Sequence, residues 1–310
     1  MTKGNKYKEL EALVFKRNKD KTNIQRLNKE LCYIKKQGSA NFFLTAFEIV
    51  NDLKEKNVLL GPAKGYANSC LINYILGFTT INPIKYDLIC EPYFNLDNPF
   101  LDIYVSSKKT ISKGRLKYIK NSVFKIELLP ILKKYQEGSI KAKYTFNPKK
   151  LEKQNWDIDL PKYILMHFYN WEFERHAMVI KDENDLINSM ALANHGLKGF
   201  HLSNFLHNRH IAFKELASSN KLLLFQEQWI YLVSKVTGKN IDDVCMLKLK
   251  MGNGKISLPN FVKLFPKVFD REIINYLFEI RRYLPSKSHT VAEAHILSLS
   301  LNFKDKRSKA

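Results

Sequence analysis

The sequence predicts an α/β fold, strands together with helices, followed by a mostly helical region. Three observations carry this expectation. The stretch FLDIYVS at 100–106 alternates Leu101, Ile103 and Val105 with Asp102, Tyr104 and Ser106, the period of a strand with one buried face. The run VLL at 58–60 is short, apolar and closed by Gly61-Pro62, as a buried strand is. Ahead of both, Ile24, Leu27, Leu31 and Ile34 recur at helical spacing and stop at Gly38.

Taken in order, residues 1–23 read as a basic, frayed lead before the first helix. A second helix over about 41–56 points Phe43, Phe47, Val50 and Leu53 at a core. The strand at 58–60 delivers the chain to a glycine-rich turn, and a helix then runs from Ala67 to Leu76. Two strands are expected near 87–94 and 100–106. Residues 108–153 differ in kind, with 14 Lys/Arg against 3 Glu and no Asp. Beyond them come strand candidates near 174–180 and 197–203, then helices. One over about 221–237 is capped by Gly238; another over 241–251 starts after Asn240, with Asp242 and Asp243 in its first turn. The end, KDKRSKA, reads as a disordered tail.

Composition narrows the function. The 310 residues are 45% hydrophobic and 26% charged, ordinary for a globular chain. Lys and Arg number 51 against 30 Asp and Glu, a net charge of +21, and a field of that sign draws polyanions, nucleic acid first. The opening MTKGNKYKEL has no apolar core of a leader, and no apolar run approaches the roughly 18 residues of a membrane span. A cytoplasmic location without membrane contact is expected. Cys32, Cys70, Cys90 and Cys245 are scattered without a C-x-x-C pair, which fits reduced thiols rather than a disulfide frame or zinc site.

The stretch 61–78, GPAKGYANSCLINYILGF, has the form of a turn that holds phosphate on backbone N–H groups, with Gly61, Lys64, Gly65 and Ser69 as candidate contacts. Tyr66 and Asn68 bring bulk where such a loop favours small residues. Weaker constellations are Asp157 with Asp159, which share a face if extended, and the histidines His195, His201, His207 and His210. Neither completes a standard ligand set, and an exposed turn and surface histidines account for them as well.

These residues resemble a known family. The loop GPAKGYANSC is similar to the GPGRGSAAGS loop of the bacterial DNA polymerase III alpha subunits, the C-family replicative polymerases. ILGFTTINPIKYDLICEPYFNLD (75–97) is similar to the text that follows it there. Upstream, NFFLTAFEIVNDLKEKNVLLGP looks like the helix and strand before the family's loop. LLLFQEQWIYLVSKVTGKNIDDVCMLKLKMG (222–252) and SKSHTVAEAHILSLSLNFK (286–304) resemble two further blocks in the family's order.

The resemblance implies a nucleotidyltransferase-like polymerase palm, a mixed sheet with helices, followed by a reduced, mostly helical fingers region. The implied segments are a basic lead and helix (1–40), palm (41–107 and 154–205), a basic segment in place of the thumb (108–153), fingers-like helices (206–303) and a tail (304–310). It also implies a two-metal site, in which carboxylates hold two ions that activate the primer hydroxyl and steady the leaving pyrophosphate. The family supplies these from a strand of the form PDIDID and a later one of the form KFDFLGL. Here Asp102 retains its carboxylate, while Tyr104, Ser106 and His201 stand at the other places. An oxygen-rich Mg²⁺ site does not accept that exchange. Lys287 and His289 match a segment near nucleotide and DNA, and imply phosphate contact. Lys108, Lys109, Lys113, Arg115, Lys117 and Lys120 crowd the place of the thumb, which grips duplex through phosphates.

The expectation is a truncated, degenerate relative that binds nucleic acid, DNA before RNA. Its DNA-directed polymerase activity is degraded or lost, with no cofactor, or Mg²⁺ if activity survives. The alternatives are an active nucleotidyltransferase with an unconventional metal site, and a non-catalytic scaffold for other replication proteins.

Overall fold

In the computed structural model of the chain, the described residues are 3–18, 23–58, 60–95, 100–105, 124–128, 144–145, 183–192, 223–267, 269–301 and 304–305. The chain divides into two compact units, one built mainly from residues 1–156 and 291–310, the other from 173–290.

The first unit opens with three helices, α1 (Lys3–Arg17), α2 (Ile24–Gln37) and α3 (Ala40–Glu55). The expected frayed lead is thus a helix over 3–17, because Leu10 and Val14, one turn apart, are fully buried. On α2 the apolar stripe Leu27, Leu31 and Ile34 is buried as its spacing predicts, and Gly38 ends the helix at φ +64°, a conformation that suits glycine. α3 buries Phe43, Val50 and Leu53, while Phe47 is partly buried under the Arg17 guanidinium, 4.9 Å from its ring centre.

Strand β1 (Leu60–Ala63) begins later than the VLL run suggested. It leads through a 3₁₀ turn (Gly65–Ser69) into α4 (Leu71–Leu76), so the single helix expected over 67–76 is broken at Cys70. No strand occupies 87–94. Its second half is the helical turn α5 (Glu91–Phe94), which has Pro92 in its first turn, a residue that suits a helix start and not a central strand.

β2 (Leu101–Val105) pairs antiparallel with β1 and parallel with β3 (Phe124–Leu128), giving a mixed sheet of order β1-β2-β3. Leu101, Ile103 and Val105 are fully buried, and Asp102 and Tyr104 lie on the other, partly open face. The α/β class and the strand phase agree with the sequence. A short pair, β4 (Tyr144–Thr145) with β5 (Lys304–Asp305), places the first two residues of the expected disordered tail in a strand.

The second unit is helical where described: α6 (Glu183–Leu192), α7 (Gln226–Thr237), α8 (Ile241–Gly252), α9 (Leu258–Val262), α10 (Arg271–Ile280) and the start of α11 (Lys287–Leu301). Its core stacks Trp229 on Phe261, and the indole N–H donates to the Leu277 carbonyl at 2.8 Å. Asn240 caps α8 by accepting from the Asp243 N–H at 2.8 Å. The strand candidates near 174–180 and 197–203 lie outside the described residues. Among the described residues no helix is long and apolar enough to cross a membrane.

Candidate functional site

The alternation of β2 puts Asp102 and Tyr104 side by side on one face of the sheet, and the β1 loop crosses that face. The Lys64 N–H donates to the Asp102 carbonyl at 2.7 Å, which fixes the loop against the strand. The Lys64 ammonium then lies 3.7 Å from Asp102 Oδ2 and 5.1 Å from the centre of the Tyr104 ring. One lysine therefore neutralises the retained carboxylate and sits on the phenol ring beside it. In the β2–β3 register Asp102 pairs with Lys125 and Tyr104 with Glu127.

The loop itself is held from inside by Asn68, which is fully buried. Its Oδ1 accepts from the Ala63 N–H at 2.9 Å and the Thr79 hydroxyl at 2.6 Å. Its Nδ2 donates to the carbonyls of Ala63 at 2.6 Å and Gly65 at 3.0 Å. Two donors and one acceptor of the side chain are thus spent on the turn's own backbone. The bulk of Asn68 is directed into the protein. Ser69, also buried, donates its hydroxyl to the Tyr66 carbonyl at 2.6 Å, and Gly65 takes φ +54°. Tyr66 is partly buried against the core.

The start of α4 is closed by a residue from another helix. Glu30 falls on the buried face of α2, fully out of solvent, and reaches the first amides of α4. Oε1 accepts from Leu71 N–H at 3.0 Å and Oε2 from Ile72 N–H at 2.9 Å. The Cys70 thiol donates to Oε2 at 3.3 Å; burial pushes that thiol well up, and the neighbouring carboxylate adds to the effect, so it stays protonated. Arg26 completes the group. Its Nε lies 2.7 Å from Glu30 Oε1, and its Nη2 donates to the carbonyls of Ser69 at 2.8 Å and Leu88 at 2.9 Å. Burial pulls the guanidinium pKa down, but the acidic groups around it, Glu30 foremost with Cys90 and Glu91, together hold it above its ordinary value. A helix start offers unpaired N–H groups to an anion. Here the anion is the protein's own.

In the second unit the same arrangement recurs. Lys287 and His289 flank the start of α11, His289 exposed and Lys287 partly so. Between them Ser288 is buried, and Glu227 of α7, also buried, accepts from the Lys287 N–H at 2.8 Å and the Ser288 N–H at 3.4 Å. Burial pushes the Glu227 carboxyl up, against the downward pull of those amides and of the Lys287 charge.

Of the loop residues, Lys64 is brought against Asp102 and Tyr104, while Gly61 lies in β1 and Gly65 and Ser69 in the 3₁₀ turn. Ser106, His201 and the cations Lys108, Lys109, Lys113, Arg115, Lys117 and Lys120 lie outside the described residues, as do Asp157, Asp159, His195, His207 and His210. Among the described residues no three His, Cys, Asp or Glu side chains group as metal ligands. Sequence reasoning missed Arg26, Glu30, Asn68's role and Glu227. A charged residue at position 30, between Leu27 and Ile34 of an apolar stripe, is the signal that would have found Glu30.

Comparison with known proteins finds likenesses to this part. Residues 3–127 match the family described as the bacterial DNA polymerase III alpha NTPase domain. The chain is 32% identical over 103 residues to the DNA polymerase III subunit alpha of Staphylococcus epidermidis, covering 33% of this chain and 10% of that protein. It is 34% identical over 89 residues to the Thermotoga maritima subunit, covering 28% and 11%. The Staphylococcus aureus subunit is 30% identical over 97 residues, covering 31% and 9%. The matched segments thus span about a tenth of the relatives' length. The match begins in α1 and ends in β3; the blocks at 222–252 and 286–304 lie outside it.

Proposed function

From a chain that, over residues 3–127, is a relative of the bacterial DNA polymerase III alpha subunits, we propose a nucleic-acid-binding protein of polymerase descent. In this reading it has a palm-like first unit, a fingers-like second unit, and no effective nucleotidyl transfer. The carrying observation is the placement of Lys64 against Asp102 and the Tyr104 ring. A carboxylate that must hold divalent metal is here occupied by an ammonium, and its strand neighbour is a phenol.

The donors present do not fit a two-metal site. Mg²⁺ demands near-octahedral oxygen ligation, whereas Asp102 is engaged by a cation and stands beside an aromatic ring on its own strand. The loop supports the same reading, since the Ala63, Leu71 and Ile72 amides already serve Asn68 and Glu30. The net charge of +21 supports a polyanionic partner. The basic segment 108–153 is the part of the sequence richest in phosphate-binding side chains, and the partner we favour is DNA.

A rival reading, nucleotidyl transfer by Asp102 with an unconventional partner, draws on the register that sets Glu127 beside Tyr104. Primer extension with Mg²⁺ and with Mn²⁺ decides between them. We expect no template-directed incorporation above background. Incorporation that disappears in Asp102→Ala or Glu127→Gln establishes the rival. Binding is tested by titrating duplex DNA at two salt concentrations. Replacing Lys108, Lys109, Lys113, Arg115, Lys117 and Lys120 with Gln is expected to flatten the salt slope by several units, at about 0.9 per phosphate neutralised. An unchanged slope removes the basic segment from the reading.

A further inference from the structure

A groove of about 690 Å³ lies on the first unit where the end of α1 meets α4 and the turn that follows it, lined in part by Lys16, Arg17, Asn82, Tyr74, Ile75 and Ile84. It is separate in composition from the Lys64–Asp102 face, with which it shares no lining residue. Tyr74 and Ile84 are 38% and 39% exposed, two of the large hydrophobic side chains that the described surface leaves in water. Lys16 is exposed and forms no ion pair with a described residue. Arg17 donates from Nε to the Ile75 carbonyl at 3.4 Å and stacks on Phe47, which holds its charge at the groove's edge. No carboxylate is among the described lining residues.

We infer that this groove takes a single strand of nucleic acid, with a base stacked on Tyr74 and the adjoining phosphates on Lys16 and Arg17. An aromatic face beside cations is the combination by which proteins hold unpaired strands, since every base has a π-face and every linkage a negative charge. The volume falls within the roughly 300–1,000 Å³ of ligand pockets. It is large enough for an unstacked nucleotide. The two cations also suit the carboxyl end of α1. That account explains their charge but not the exposed tyrosine and isoleucine beside them. An acidic peptide satisfies the charge equally but has no use for the ring. The inference rests on the reading of the protein as nucleic-acid-binding and adds a strand site away from the palm face.

The test measures anisotropy of a labelled oligo-dT and of a matched duplex with the full chain, at two salt concentrations. Tyr74→Ala is expected to weaken oligo-dT binding roughly 5- to 150-fold, with little effect on the duplex. Lys16→Gln is expected to reduce the single-strand salt slope by about 0.7. Tyr231→Ala, an exposed tyrosine of the second unit, serves as the control and leaves binding unchanged. Circular dichroism melts confirm that each variant is folded. If the wild type binds oligo-dT and the Tyr74 and Lys16 variants bind it equally well, the groove proposal falls and the wider reading stands. Equal loss of single-strand and duplex binding, or displacement of oligo-dT by poly-glutamate as readily as by unlabelled oligo-dT, also overturns it. If the wild type binds neither nucleic acid, both readings fall.

Discussion

Glu30 and Glu227 answer one physical problem in two ways. Each is a buried carboxylate on one helix that accepts the first amides of another, Leu71 and Ile72 in the first unit, Lys287 and Ser288 in the second. Glu30 is ion-paired with Arg26, whose guanidinium also binds two carbonyls of the chain around it. Among the described residues Glu227 has no such guanidinium; the amides and the Lys287 charge pull against its burial, which still pushes its carboxyl up. The first arrangement is a network in which each charge is answered. The second leaves a desolvated carboxylate whose neutral form burial favours. The difference teaches where the cost of a change falls, since removing one partner of a buried pair strands the other charge in the interior, whereas a lone buried carboxylate leaves only its amides behind.

The comparison is open to direct challenge, beginning with its stronger side. Glu30→Ala strands Arg26 and two buried amides together, and we expect a loss of about 3–5 kcal/mol in unfolding free energy, measured by urea denaturation. A loss below 1 kcal/mol would show that the network is not what closes α4. Glu227→Ala orphans two amides without stranding a paired guanidinium, and about 1–3 kcal/mol is expected. If it costs as much as Glu30→Ala, the distinction between the two fastenings collapses.

The smallest effect concerns pH. The Glu227 carboxyl is raised in the folded state, so its contribution to stability is greatest below the ordinary carboxylate range and declines as pH rises through that range to the folded value. Glu227→Gln keeps one acceptor and removes the titration. It is expected to flatten the dependence of the second unit's melting temperature on pH above the ordinary carboxylate range. A wild-type profile that rises in that window, and is unchanged in the variant, refutes the assignment.

Much of the first unit was legible in the sequence because period alone decides it. The alternation at 101–105 fixed which residues of β2 are buried, and the 27, 31, 34 spacing with Gly38 fixed α2 and its end. What was not legible depends on contacts across sequence. Position 68 reads as excess bulk in a phosphate loop until Thr79 and the backbone of Ala63 and Gly65 are found around it. The 87–94 stretch reads as a strand because the apolar content of DLICEPYF does not separate a buried turn from a buried strand, and Pro92 was the discriminating residue. The lead was misjudged for a related reason, since Leu10 and Val14 are sparse among lysines and show their helical spacing only once the core is there to receive them. Lys64 was read as the loop's remaining positive charge for a ligand, and its engagement with Asp102 and Tyr104 follows from the pairing of β1 with β2.

The inward-facing Asn68 has a consequence for linkage. A loop shaped by its ligand gains stability when that ligand binds, by an amount that grows with the logarithm of its concentration. A loop whose turn is already tied by four hydrogen bonds to one buried amide has its shape without help. Any anion that docked on this turn would then stabilise the first unit through its contacts alone, with no added gain from ordering the backbone. The turn's shape is kept from within, by positions 30, 68 and 79, rather than from its outer surface.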